Sequence, residues 1–187
     1  MHLLWFRRDL RLTDNEIVTL ATANDAAVKP LFIVDPWFYQ WVDVGKARVR
    51  FLFESLENLD SNLRKLGSRL YLFEGNSTDI VQELTKQLIE QGYSPKLFFN
   101  RDVQVEYGIS RDKTIVDFYK QLNLDYHIGL NNFLQSAEQR DEWFNQYYEN
   151  SKILITANTQ YPENLVSDNR KLVNSKFLGE SKNLFGN

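Results

Sequence analysis

Short apolar runs and longer stretches with apolar residues at helical spacing alternate along the first two thirds of the chain, and this alternation constrains the fold more than any other feature. Leu3 to Phe6 is the first run. Thr13-Asp14-Asn15-Glu16 then fits a capping box, in which a hydroxyl and a carboxylate satisfy the first free amides of a helix, ahead of Ile17, Val18, Leu20 and Ala21. Val28 to Val34 is the second run, rich in β-branched and aromatic side chains, with Pro30 near its start and the turn-forming pair Asp35-Pro36 at its end. From Gly45 to Leu66, Leu52, Leu56, Leu59, Leu63 and Leu66 recur every three or four residues while Glu57, Asp60, Asn62 and Arg64 take the other face, which predicts a long amphipathic helix closed by Gly67.

The pattern repeats. Arg69 to Phe73 predicts a third strand, and Ser77 with Asp79 predicts the cap of a helix that buries Ile80, Val81, Leu84 and Leu88 and ends at Gly92. Lys96 to Asn100 predicts a fourth strand, Ser110 to Leu122 a helix with Ile115, Phe118, Tyr119 and Leu122 inward, and Leu124 to Ile128 a fifth strand. Strands joined by helical crossovers lie parallel with right-handed connections. The expected fold is therefore α/β: a Rossmann-like, doubly wound five-stranded parallel sheet with helices on both faces. With 187 residues the chain suits one such domain over residues 1–135. Residues 136–187 read as a helical extension and a polar tail suited to docking; from residue 156 the composition is too polar to offset the entropy of folding alone.

Composition removes several kinds of chemistry. The chain has no cysteine, hence no disulfide, thiolate metal site or thiol nucleophile, and its imidazoles are limited to His2 and His127, far apart and without ligand spacing. Lys and Arg number 22 against 25 Asp and Glu, mixed evenly along the chain, so autonomous DNA binding is not expected and DNA enters only indirectly. The longest apolar run, Leu31 to Val34, is far short of a membrane span, and Arg7-Arg8-Asp9 follows the first apolar run in the wrong order for a signal peptide. A cytoplasmic protein is expected.

In an open parallel sheet ligands bind outside the carboxyl ends of the strands, where strand order reverses. Phe6, Arg7, Arg8 and Asp9 leave the first strand there, Asp35, Pro36, Trp37 and Phe38 the second, and Asn100, Arg101 and Asp102 the fourth. Such a rim can stack a planar heterocycle on Trp37 or Phe38 and pin its edges with Arg48, Asp35 and Asp102. The plainer alternatives are a solvated loop with internal ion pairs for Arg8 and Asp9, and an ordinary turn for Asp35-Pro36. No glycine-rich phosphate loop, nucleophile elbow or serine–histidine pairing occurs, and no catalytic residue is nominated.

Leu4-Trp5-Phe6-Arg7-Arg8-Asp9-Leu10-Arg11-Leu12-Thr13-Asp14-Asn15 resembles the opening signature of the photolyase/cryptochrome family. Phe32 to Phe38, Arg50 to Asp60 and Leu63 to Leu70 are similar to the same domain, with a flavour of animal cryptochromes and six-four photolyases. The resemblance, which runs to about residue 135, implies an N-terminal α/β domain that holds an antenna chromophore, namely 8-hydroxy-5-deazaflavin, FMN or FAD, or methenyltetrahydrofolate. In the family the catalytic FAD, the tryptophan chain and the groove for damaged DNA belong to a C-terminal helical domain larger than this whole chain. Carried over by position, the resemblance points to Asp35, Pro36 and their neighbours, Arg48 and Asp102. The family's D-x-E-P-Y segment corresponds to Asp102-Val103-Gln104-Val105-Glu106-Tyr107, which has no proline and an extra residue before Arg111-Asp112, so either Gln104 or Glu106 stands for the family glutamate.

The candidate chromophore-binding residues are thus Phe6, Arg7, Asp35, Pro36, Trp37, Phe38, Arg48, Asn100, Asp102 and Glu106. The function expected is that of a photolyase/cryptochrome-like domain that binds an antenna chromophore or pairs with a separate FAD-binding helical partner in light-dependent repair or signalling. The alternative is a colourless interaction module or a truncated photolyase fragment. Photolyase activity by the chain alone is not expected, because it lacks residues to house a catalytic flavin.

Overall fold

The computed structural model describes residues 1–38, 45–102 and 106–129. The elements in chain order are β1 (His2–Phe6), α1 (Glu16–Ala21), β2 (Val28–Val34), a 3-10 turn (Pro36–Phe38), α2 (Lys46–Lys65), β3 (Tyr71–Glu74), α3 (Ser77–Glu90), β4 (Lys96–Asn100), α4 (Glu106–Gln121) and β5 (Tyr126–Gly129). All strand pairs are parallel, in the order β3-β2-β1-β4-β5, with Trp5 of β1 opposite Leu31 of β2 and Phe99 of β4. This is the doubly wound sheet that the alternation predicts. The boundary near residue 135, the extension and the tail lie outside the described residues.

Burial on both faces explains why Leu3 to Phe6 of β1 and Leu31 to Val34 of β2 are continuous apolar runs instead of alternating ones. Leu4, Phe6, Phe32 and Val34 point to one side, where Ile17 and Val18 of α1 and Leu56, Leu59 and Leu63 of α2 cover them. Leu3, Trp5, Ile33 and Phe99 point to the other, against Ile80, Leu84 and Leu88 of α3 and Ile115 and Tyr119 of α4. Only the second half of α2 contributes fully buried leucines; its first half is largely exposed, with Phe51 at 70% of its full accessibility. Asp60 ties the buried half down, accepting from the Leu70 amide at 2.8 Å and the Arg64 Nε at 2.7 Å. Gly67 follows α2 at φ 77°, the left-handed conformation a helix stop demands.

Four local expectations are corrected. The Thr13 capping box does not form: Asn15 holds the N-cap position of α1 without a side-chain cap bond, because its amide is engaged by Asp9 and by the Arg11 carbonyl. Asn76, not Ser77 or Asp79, caps α3, accepting from the Thr78 and Asp79 amides at 2.9 and 3.2 Å. Asn76→Ala should lower stability by about 1 kcal/mol in a urea melt, the usual worth of such a cap. Helix α4 begins at Glu106, earlier than the expected Ser110, and Leu122 lies past its end, 40% exposed instead of inward. A glycine inside the first turns of α4 concealed the start. Gly108 is required there, because a Cβ at that position would come within 2.5 Å of the Asp102 carboxylate.

Candidate functional site

The chain winds from β1 outward through β2 and β3, then returns to the other side of β1 as β4, so the strand order reverses between β1 and β4. A crevice at the carboxyl end of this pair is the expected ligand position for such a sheet. Here the chain's own side chains fill it. Arg7, leaving β1, makes a two-pronged contact with Asp112 of α4, Nη1 to Oδ1 at 2.6 Å and Nη2 to Oδ2 at 3.2 Å. Arg111 meets the same carboxylate at 3.0 Å and reaches Asp102 at 3.3 Å, while the Asp102 amide donates to Asp112 at 3.0 Å. Two guanidiniums and two carboxylates thus balance in a nearly dry site, and both guanidiniums lie over the Trp5 ring, 4.8 and 5.1 Å from its centre. Burial pulls the Arg7 guanidinium below its usual range, and Asp112 acts in the opposite direction.

Beside this cluster lies a second, built from amides around one carboxylate. Asp9, 5% exposed, accepts from the Arg7 backbone amide two residues earlier (3.0 Å), from Asn15 Nδ2 (3.1 Å) and from Asn100 Nδ2 (2.7 Å). The expectation of a solvated Asp9 is therefore corrected: it is a buried strut between the β1–α1 loop and the end of β4. Arg8 does remain 41% exposed, 3.9 Å from Asp102, a separation at which a surface pair contributes little. Asn100 keeps one buried oxygen without a hydrogen-bond partner, facing the Cα of Gly129, where any Cβ would collide with it.

The third cluster sits at the end of β2 and is centred on Asp35, 2% exposed. Its Oδ1 accepts from the Trp37 amide at 3.0 Å, which closes the 3-10 turn. Its Oδ2 accepts from the Ser77 amide at 3.1 Å, the Ser77 hydroxyl at 2.7 Å and the Tyr107 hydroxyl at 2.6 Å. One carboxylate thereby gathers the end of β2, the first residue of α3 and the first turn of α4. The Tyr107 ring stacks on Trp37 with centroids 4.3 Å apart and planes 8° from parallel, both rings half-buried. Burial and then the Asp35 carboxylate push the Tyr107 phenol above its usual range.

The ten candidate residues consequently fall into separate groups. Phe6 is corrected to a core residue, 0% exposed under α1 and α2. Arg7 and Asp102 are engaged within the ion cluster, and Asn100 donates to Asp9 while its amide oxygen has no partner. Asp35 and Pro36 build the turn, with Asp35 acting on three elements instead of on a turn alone. Trp37 presents an aromatic platform; Phe38 ends the same turn. Arg48 and Glu106 are exposed on the first turns of α2 and α4. These helices follow β2 and β4 along the chain. Sequence reasoning did not single out Tyr107, Ser77, Arg111 or Asp112 as site residues.

The residues offer an aromatic pair at the end of β2 and, at the start of α2, exposed cationic groups at Lys46 and Arg48 with an N-cap, Gly45, that supplies no side-chain acceptor to the first amides. Those features suit a planar, anionic heterocycle. Among the described residues no group of acidic or imidazole side chains could hold a metal ion, and no helix is long and apolar enough to cross a membrane.

Comparison with known proteins decides the family, for residues 2–141 match DNA photolyase. The chain belongs to the DNA photolyase family. Cryptochrome-2 of Gallus gallus is 38% identical over 135 residues, covering 72% of this chain and 22% of that protein. A (6-4)DNA photolyase of Oryza sativa subsp. japonica is 34% identical over 134 residues, covering 66% of this chain and 24% of its own length. The chain thus spans about a quarter of these photolyase and cryptochrome relatives. Among solved structures, the photolyase of Sulfolobus tokodaii, described with two FAD molecules and a novel light-harvesting cofactor, superposes with TM-score 0.61 at 27% identity, covering 80% of this chain and 35% of that one. A class III photolyase from Agrobacterium tumefaciens gives 0.62 at 28% identity over 74% of this chain and 27% of that one. A Synechocystis cryptochrome shares the fold, with TM-score 0.66 at 20% identity, over 89% and 36% of the two chains.

Proposed function

We propose that this chain is the chromophore-carrying α/β domain of a photolyase or cryptochrome, and that it holds a planar anionic antenna pigment of the flavin, deazaflavin or folate type at the rim beside Trp37. The observation that carries this reading is the Trp37–Tyr107 stack locked onto the buried Asp35. A preformed ring pair accepts another flat ring without first losing side-chain freedom, which favours binding. When bound, such a pigment absorbs near-ultraviolet or blue light and passes the excitation on. The residues of the chain then have separate tasks. Trp37 offers a face for stacking, Arg48 and Lys46 meet the negative charge, and Asp35 keeps the platform rigid through Tyr107. The light-harvesting cofactor named for the Sulfolobus tokodaii relative supports the same assignment.

The excitation acceptor is an FAD-binding helical unit of the photolyase/cryptochrome type, joined to this domain or separately encoded, and DNA is contacted through that unit. The exposed first half of α2 around Phe51 supports such a contact, since an aromatic side chain in water gains by being covered. To test the pigment site, the purified chain is titrated with 8-hydroxy-5-deazaflavin, FMN and methenyltetrahydrofolate, and the pigment's fluorescence is read. Trp37→Ala and Arg48→Ala should each weaken binding by about tenfold, the worth of one stack or one charge-assisted contact at about 1.4 kcal/mol. Unchanged affinity in both variants would rule out this position.

A further inference from the structure

The two histidines of the chain hold the two ends of α1. At its last residue the Ala21 carbonyl accepts from Nδ1 of His2, the first residue of β1, over 2.6 Å; at its first residue Glu16 meets Nε2 of His127 in β5 at 3.2 Å. Six residues are too few for a helix to persist in water unaided, so the place of α1 over Leu4 and Phe6 depends on its packing and on these fastenings. The two differ in their surroundings. His127 faces a carboxylate and is 35% exposed, which suits a charged ring as well as a neutral one. His2 is 7% exposed, its ring 4.8 Å from that of Phe98. Lys96, its register partner on β4, has its ammonium 5.5 Å from the centre of the same phenyl ring, and the Met1 amino group adjoins along the chain. The carboxylates of neighbouring elements are turned to other partners: Asp125 stands 3.8 Å from Lys96, and Glu16 is with His127. Burial holds the His2 imidazole below its usual range; the Ala21 carbonyl acts against this, and the Met1 and Lys96 charges add to it.

We propose that His2 is an acid-released latch on α1: neutral, it fastens the last turn of the helix to the central strand, and protonated, it turns out to water and frees that turn. Placement carries the device. A proton on His2 sets a second positive charge beside Lys96, against a phenyl ring that already faces one cation, in a site too dry to screen the two. The fastening is therefore complete above about pH 6.5 and is lost as the pH falls from there, the order expected of a histidine that is harder to charge in the folded chain than in the unfolded one. Release is passed along the helix. Asn15, at the other end of α1, donates to Asp9 at 3.1 Å, and Asp9 accepts from Asn100 at the end of β4 at 2.7 Å. A proton taken up at the start of β1 thereby loosens a strut that lies beyond its end.

The experiment uses the full chain. The Cε1 protons of its two imidazoles are followed by nuclear magnetic resonance from about pH 7.5 to about pH 5.5, a range centred on the ordinary histidine value, with His127→Gln to assign them. Amide exchange in α1 is read over the same range and corrected for the intrinsic pH dependence of exchange. His2 should titrate below 6.5, and the Thr22 amide, bonded to the Val18 carbonyl at 3.1 Å, should lose protection as the proton goes on. His2→Gln keeps a side-chain N–H for the Ala21 carbonyl but has no charge to gain, and should hold Thr22 protected throughout. A His2 that titrates at or above 6.5 would overturn the proposal, as would a Thr22 amide in the parent whose protection is unchanged while His2 titrates. So would a His2→Gln chain that loses protection over the same range as the parent.

Discussion

Arg7→Met should lower the stability of the chain by about 3 kcal/mol, the lower end of the cost of removing one partner from a buried ion pair, because Arg111 stays on Asp112. The mutation leaves two carboxylates, Asp102 and Asp112, facing a single buried guanidinium in a site that admits little water. It also removes a cation from above the Trp5 ring. In thermal melts the shift should be roughly 10 °C downward. Arg7→Lys restores the charge without the planar fork and should fall between the two. The cluster joins the end of β1 to α4, so the same mutant should expose amides of α4 to hydrogen exchange before those of α2. A melt within a degree or so of the parent would show that the crevice between β1 and β4 is held by other contacts.

Asp35→Ala should be comparably damaging, at roughly 3 kcal/mol, since it strands a buried Ser77 amide and frees the Trp37 amide and two hydroxyls at once. Asp35→Asn is no conservative replacement here. Its single carbonyl oxygen can stand at Oδ1 or at Oδ2, and in either orientation the amide nitrogen is turned toward a backbone N–H that needs an acceptor. The loss should be seen twice, as a lower urea midpoint and as a pigment affinity that falls further than in Arg48→Ala, because the Trp37–Tyr107 platform loses its anchor. If Asp35→Ala bound pigment as tightly as the parent, the platform would not be part of the site.

Much of the fold was legible because it depends on local periodicity. The spacing from Leu52 to Leu66 could only be a helix with one buried face, and Leu3 to Phe6 of β1 and Leu31 to Val34 of β2, covered on both sides, appear as apolar runs. The start of α4 was not legible. Its opening, Glu106-Tyr107-Gly108, carries no apolar stripe, and the glycine that disguises it answers to Asp102, a residue outside the helix.

The site was legible only as a rim. Strand ends could be named from the alternation, and the resemblance of Leu4 to Asn15 and of Phe32 to Phe38 named the family. What each charged residue touches depends on partners distant along the chain. Asp35 and Tyr107 are 72 positions apart, and Arg7 and Asp112 are 105 apart. The charges of Arg7 and Asp102 meet partners within the fold, and Asn100 donates to Asp9 while its amide oxygen stays without a partner, none of which is visible from spacing alone. The β1–β4 side is consequently occupied by the chain's own charged side chains, and the Trp37–Tyr107 pair, where we propose that the pigment binds, lies toward the end of β2.

The central claim is that this rim carries a planar pigment, and one measurement tests it most directly. The chain is mixed in turn with 8-hydroxy-5-deazaflavin, FMN and methenyltetrahydrofolate, and each is followed by equilibrium dialysis and visible absorption, with Trp37→Ala alongside. The account predicts that one of the three saturates at one pigment per chain with a shifted absorption band, and that Trp37→Ala abolishes the shift while leaving the melt of the protein in place. A folded chain that retains none of the three pigments would contradict it.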